Sequence, residues 1–172
     1  MAKQPSLFVF AGLPGVGKTT LARFFAGVVG ATYLRIDSIE QGLRNSEMSF
    51  ESVEDGGYQA AYSIAADNLK LGFHVVADSV NPISLTREAW ADVAQQVGAQ
   101  FTQIEVVCSD VVEHRNRIET RFADIKNHKL PTWEDVQNRQ YETNWVSERI
   151  RVDTANISVS QACAWLLRKI QS

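Results

Sequence analysis

Cysteine is scarce: Cys108 and Cys163 are the only two in the chain. They form no CxxC pair and fall in apolar patterns, so they read as buried free thiols, and neither a zinc nor a redox motif is supported. Histidine is scarce as well, and His74, His114 and His128 show no metal-ligand spacing. No apolar stretch approaches the ~20 residues that a membrane span needs. Met1 to Pro5 leads straight into a strand pattern without an apolar leader, which makes a cytoplasmic location the expectation and a membrane partner unexpected. Positive charge is not in excess either, since 17 Lys and Arg against 20 Asp and Glu leave a formal net charge of -3. Such a chain has no global field to draw in nucleic acid, so a nucleic-acid partner is not expected. Repeats, low-complexity tracts and charge blocks are missing too, and nothing in the sequence sets an oligomeric state.

What is present is an ordinary globular composition, with 45% hydrophobic and 22% charged residues over 172 positions. That is enough for one domain, residues 1–172, with a real core and no room for a second. Short apolar runs alternate with helical periods. Strands are expected at Leu7–Ala11, Tyr33–Ile36, Val75–Ala77, Phe101–Cys108 and Ile150–Val152. Helices are expected from Lys18 to Val29 before Gly30, from Tyr58 to Leu69 before Gly72, and from Ser84 to Val97 before Gly98. Further helices are expected at about Asp110–Phe122, at Trp133–Trp145 and from Ser158 through Ile170. The segment Ala123–Pro131 lacks a period and reads as a mobile connection. Strands alternating with helices imply an α/β fold with a mostly parallel sheet covered on both faces. Active sites in such sheets lie beyond the carboxyl ends of the strands.

Gly12-Leu13-Pro14-Gly15-Val16-Gly17-Lys18-Thr19 satisfies G-x-x-x-x-G-K-[ST] in full, after a strand and at the opening of a helix. Glycines allow successive N–H groups to turn inward around a phosphate at the positive end of a helix dipole. Lys18, in the exposed position that the motif gives it, would reach the β and γ phosphates. The Thr19 hydroxyl would ligate magnesium, a hard cation that prefers oxygen. These eight residues, with Thr20 beside them, are the candidate ATP-binding set.

Two carboxylates follow strands. Asp37 is either a helix N-cap or a group that accepts a proton from a hydroxyl or holds magnesium through water. Asp78 ends an apolar run, as a Walker B carboxylate does, and is either a magnesium ligand or a turn residue. His114, Arg117 and Arg121 share one helix face, with Val111 and Ile118 on a neighbouring apolar side. Arg117 and Arg121 are either a solvated face or cations that neutralise developing phosphate charge. Trp90, Trp133 and Trp145 read as packing residues.

Together, Gly12–Thr19, Arg35-Ile36-Asp37, Val76-Ala77-Asp78 with Arg87, and Arg117-Ile118-Glu119-Thr120-Arg121 resemble a broad group of small P-loop kinases. The group includes kinases of the AAA_33 type and, more distantly, adenylylsulfate kinase, gluconate kinase, chloramphenicol phosphotransferase and polynucleotide 5'-hydroxyl kinase. The resemblance implies a P-loop NTPase three-layer sandwich with a five-stranded parallel sheet in the order 2-3-1-4-5. It implies a lid over about residues 115–131, with Arg117 and Arg121 at its base. It also implies Asp37 as general base, Asp78 and the Arg87 region beside acceptor and magnesium, and Asp153-Thr154-Ala155-Asn156 beside adenine. The activity implied is transfer of the ATP γ-phosphate, with Mg2+, to a small-molecule hydroxyl. The alternatives are an ATP-binding regulator without turnover and a polynucleotide 5'-hydroxyl kinase. A guanine-reading Asn-Lys-x-Asp is missing, and so is the glycine and arginine pattern that follows the corresponding Asp in nucleoside monophosphate kinases.

Overall fold

The computed structural model describes residues 4–47 and 52–171, so Met1 to Lys3 of the leader reading lie outside the described residues. The first half of the chain runs β1 (Ser6–Ala11), α1 (Lys18–Val29), β2 (Thr32–Arg35), α2 (Ile36–Arg44), α3 (Gly56–Lys70) and β3 (Val75–Asp78). The second half runs α4 (Ser84–Val97), β4 (Gln100–Val107), α5 (Val111–Thr120), α6 (Trp133–Gln137), β5 (Ile150–Asp153) and α7 (Val159–Gln171). Five strands make one sheet in the order β2-β3-β1-β4-β5. All four pairings are parallel, as expected for strands joined by helical crossovers.

Period-two alternation in the strands feeds two apolar layers. Phe8, Phe10, Val76, Ile104 and Val106 pack on Leu21 and Phe25 of α1 and on Ala162 and Leu166 of α7. Leu7, Val9, Val75 and Ala77 face the other way, onto Ala61, Ala65 and Leu69 of α3 and Trp90 and Ala94 of α4. Trp90 is fully buried, and its indole N–H donates to Asn81 Oδ1 at 3.2 Å. No helix among the described residues is long and apolar enough to cross a membrane.

The sheet register decides what meets at the strand ends. Phe10 pairs with Asp78, and Asp78 pairs with Arg35. The carboxyl ends of β1, β3 and β2 are therefore neighbours, and the loops leaving them open on the same side.

Some sequence expectations need correction. The helix expected over Trp133–Trp145 stops at Gln137. Beyond it the chain is claimed by tertiary bonds: the Glu142 N–H donates to Pro82 O at 2.8 Å, and Trp145 lies 3.9 Å from the Arg87 guanidinium. α5 ends at Thr120, before Arg121 and Phe122. Ile118 is buried as expected, but Val111 is exposed. Cys163 is buried, whereas Cys108 is only half-buried. Ile36 opens α2 instead of closing β2.

Candidate functional site

The loop from Gly12 to Gly17 leaves β1 and enters α1. Gly17 is the N-cap of α1, no side chain caps it, and the first turn carries no acidic residue. Its first N–H groups thus remain available to an anion at the positive end of the helix dipole. Gly12, Gly15 and Gly17 have φ of 144°, 82° and 87°, values that side-chain-bearing residues resist. A Cβ on Gly12 would stand 2.3 Å from Val106 O, and one on Gly15 would stand 2.5 Å from Ile118 Cδ1. The loop is thus wedged against β4 and α5 with its inner face open. Gly12→Ala is expected to cost about 1–3 kcal/mol in urea unfolding, the usual worth of one strained backbone residue, and to weaken ATP binding. A variant with unchanged stability and unchanged ATP affinity would contradict the tight fit.

Lys18 departs from its expected exposed position. It is 7% exposed, and its Nζ lies 2.6 Å from Asp78 Oδ1. Asp78 is itself 1% exposed and accepts a second bond from the Tyr33 hydroxyl at 2.7 Å. Burial would push the Asp78 carboxyl up, but the Lys18 charge beside it, with the Lys18, Tyr33 and Thr19 hydrogen bonds, holds it below the ordinary carboxylate range. Burial and the adjacent Asp78 charge push the Tyr33 phenol well up, so it stays a neutral donor. The Thr19 hydroxyl and the Asp78 carboxylate therefore meet directly below the loop. A hydroxyl and a carboxylate are the oxygen donors that magnesium prefers, and two suffice where phosphates and water complete the shell. No cluster of three or more His, Cys, Asp or Glu suited to a metal occurs among the described residues.

Asp37 lies in the first turn of α2, one strand over from Asp78. The N-cap is Arg35, and no side-chain capping bond is made, so the capping role open to Asp37 is not taken. Its Oδ2 stands 3.9 Å from Arg35 Nε. Arg35 also bonds Asp124 at 2.8 Å, as does Arg23 from α1. Those two arginines draw the Asp124 carboxyl down to about 2. The segment after α5 is thereby tied across to α1 and β2.

The two arginines expected to act together separate. Arg117 binds Glu113, Thr154 Oγ1 at 2.9 Å and Thr154 O at 3.0 Å, which holds it against the loop after β5. Arg121 lies toward Asp37 and Arg35, and its Nη2 donates to Pro131 O at 3.3 Å. His114 pins the loop from below through Pro14 O at 2.8 Å and meets the edge of Trp133. Arg87, expected to border acceptor and magnesium, instead lies 4% exposed beneath the 81–82 segment and bonds Asn81 O, Pro82 O and Glu142 O. It is a strut held by a buried sheet-side position, and Trp145 stacks over it.

The phosphate loop, Lys18, Thr19, Arg35, Asp37, Arg117, Arg121 and Asp124 border one cleft of about 1180 Å³. Gly15, Gly17, Lys18, Thr19 and Thr20 form its floor, and Thr154, Ile157 and Ala162 one wall. Asp37, Glu40, Arg44, Arg121 and Arg139 also line it. The volume accommodates a nucleotide and a small second molecule. Val16 turns its side chain into the core, and its carbonyl accepts from Thr154 Oγ1 at 2.6 Å. Sequence reading missed Tyr33, Asp124 and Arg139, while Thr154 stands in the loop that the resemblance puts beside adenine.

The family described as AAA domain, AAA_33, matches residues 7–143. No curated protein matches the chain. Among solved structures, a provisionally assigned kinase of Chloroflexus aurantiacus is similar with 20% identity, 99% of this chain and 98% of that chain covered, and a TM-score of 0.76. The Mycobacterium tuberculosis APS kinase in complex with AMPPNP and APS has 14% identity, coverage of 98% and 99%, and a TM-score of 0.72. Chaetomium thermophilum Kti12 in complex with ADP-AlF3 has 21% identity, coverage of 94% and 97%, and a TM-score of 0.68. At these identities the likeness shows a shared P-loop fold.

Proposed function

The chain belongs to the AAA_33 family of AAA domains, and from that footing we propose that it is an ATP-dependent, magnesium-requiring phosphotransferase acting on a small-molecule hydroxyl. The observation that carries the reading is one open cleft with Lys18 and Thr19 in its floor, Asp78 bonded to Lys18 beneath it and Asp37 in its side. The loop amides and Lys18 hold the triphosphate. Magnesium, for which Thr19 and Asp78 are the fitting ligands, supplies charge neutralisation on the phosphates. Asp37 orients the acceptor hydroxyl and takes its proton. The acceptor oxygen bonds to the γ-phosphorus while the bond from that phosphorus to the bridging oxygen breaks, and ADP leaves with the electron pair. Arg117, tied to Thr154 beside Gly17, balances charge on the phosphate side, and Arg121 does so on the acceptor side. The segment after α5 acts as the lid that excludes water.

A specific observation favours a second reading, an ATP-binding protein without turnover. Lys18 is held by Asp78 at 2.6 Å, and both must let go to serve the phosphates and the metal. The test is ADP release from ATP with magnesium, measured against a library of hydroxyl metabolites and repeated in excess EDTA. A phosphotransferase shows ADP release stimulated by particular alcohols, a matching phosphorylated product, and none of either in EDTA. ATP binding that no alcohol converts to product would leave the regulator. Turnover that persists in EDTA would overturn the magnesium role.

A further inference from the structure

The charge around Asp37 in the cleft does not balance. Arg44 is satisfied by Glu40 at 3.2 Å, and Arg35 by Asp124 at 2.8 Å. Asp37 stands 3.9 Å from Arg35, and Asp135, the other carboxylate lining the cleft, is occupied by the Thr132 N–H and hydroxyl. Arg121 and Arg139 line the same cleft, and neither makes an ion pair among the described residues. The Arg121 Nε and the Arg35 Nε are buried donors without a hydrogen-bond acceptor. Burial, with the Arg35 charge close by and only Asp37 to offset it, draws the Arg121 guanidinium below its ordinary range. A guanidinium remains charged even so, and a planar cation without an anion in a partly desolvated cleft is a binding site for one.

Resting on the phosphotransferase reading, we propose that the acceptor is an anionic alcohol. Its hydroxyl faces Asp37, and its carboxylate, sulfate or phosphate group is taken by Arg121, with Arg139 as the second cation. The cleft holds a hydroxyl-directed carboxylate and an anion-directed arginine close together, and a neutral polyol would leave the arginine unpaired. The same arrangement selects among alcohols: a buried donor left without its partner penalises the neutral analogue, whereas the anion satisfies it.

The probe is inorganic sulfate, titrated by calorimetry into protein whose phosphate loop is already saturated with magnesium and AMPPNP. Ionic strength is held constant with sodium chloride. One saturable sulfate site is expected in the unmodified protein. Arg121→Gln and Arg139→Gln are each expected to weaken it by about 10–100-fold, the range of one charge-assisted hydrogen bond, with AMPPNP affinity nearly retained. Arg139 is exposed, so its replacement is expected to fold even if that of Arg121 does not. Glycerol, glycerate and glycerol 3-phosphate, each competed against sulfate, separate the neutral, carboxylate and phosphate cases. Competition by one or both anions and none by glycerol is the expected pattern. No saturable sulfate binding, binding untouched by both substitutions, or competition by glycerol equal to that of the anions would overturn the anionic acceptor. Failure of the phosphotransferase reading is seen separately, as ATP that no alcohol turns over even though the sulfate site is intact.

Discussion

Lys18→Ala is expected to remove phosphoryl transfer and to cost about 3–5 kcal/mol of stability, the usual result of stripping one partner from a buried ion pair. The motif alone suggests a lysine that can be deleted without touching the fold. The geometry says otherwise, because Asp78 is 1% exposed and would lose the ammonium 2.6 Å away. Tyr33 keeps one hydrogen bond on that carboxylate, which is less than a charge needs in a buried place. The pH dependence has a definite sign. In the unmodified protein the Asp78 carboxyl sits below its ordinary range, so its contribution is present above about pH 4 and is lost as the pH falls further. Without Lys18, burial is left to dominate and the carboxyl moves up. The stability deficit of the variant should then shrink between pH 7 and pH 5 as Asp78 takes a proton. Urea unfolding at both values measures this. Replacing both partners, as Lys18→Met with Asp78→Asn, should recover most of the stability and none of the activity. An alanine variant that unfolds like the parent, or that transfers phosphate at the parental rate, would refute the pairing or the role of Lys18.

How far the site could be read from sequence follows from the range of its contacts. The P-loop is contiguous, and its glycines are needed by the local backbone, so Gly12 through Thr19 were legible as a unit. The sheet was legible because doubly buried strands read as continuous apolar runs, and Asp78 was legible because it closes one of them. Tyr33 looked like any strand residue, yet parallel pairing with β3 and an upward side chain bring its hydroxyl to Asp78 across 45 positions. The links from Asp124 to Arg35 and from Thr154 to Val16 span 89 and 138 positions, beyond any local pattern. Arg117 and Arg121 share a face only if the helix continues, and it ends at Thr120, which is why they part. The stretch after Gln137 carries a helical period but obeys Pro82 and Arg87, so periodicity misled there.

Asp37→Asn is expected to leave ATP affinity nearly unchanged and to lower turnover by roughly 10²–10⁴-fold, the usual worth of a positioned base. The structural cost is expected to be small. Asp37 makes no capping bond, stands partly exposed in the first turn of α2, and faces Arg35 at 3.9 Å. What the fold loses is the favourable meeting of a carboxylate with a helix N-terminus, about 0.3–1 kcal/mol. A turnover loss without an unfolding loss is therefore informative. Because phosphoryl transfer passes through a loose transition state, orientation of the hydroxyl matters along with proton removal, and a loss at the lower end still fits. The pH profile distinguishes the two contributions: an acid limb in the parent that vanishes in the asparagine variant marks proton acceptance, whereas a limb shared by both marks orientation alone. Asp78 cannot easily stand in, since it is buried and already bonded to Lys18 and Tyr33. A variant that turns over the acceptor at the parental rate would leave the cleft without its base, and the hydroxyl proton would then have to pass to a phosphate oxygen of ATP itself.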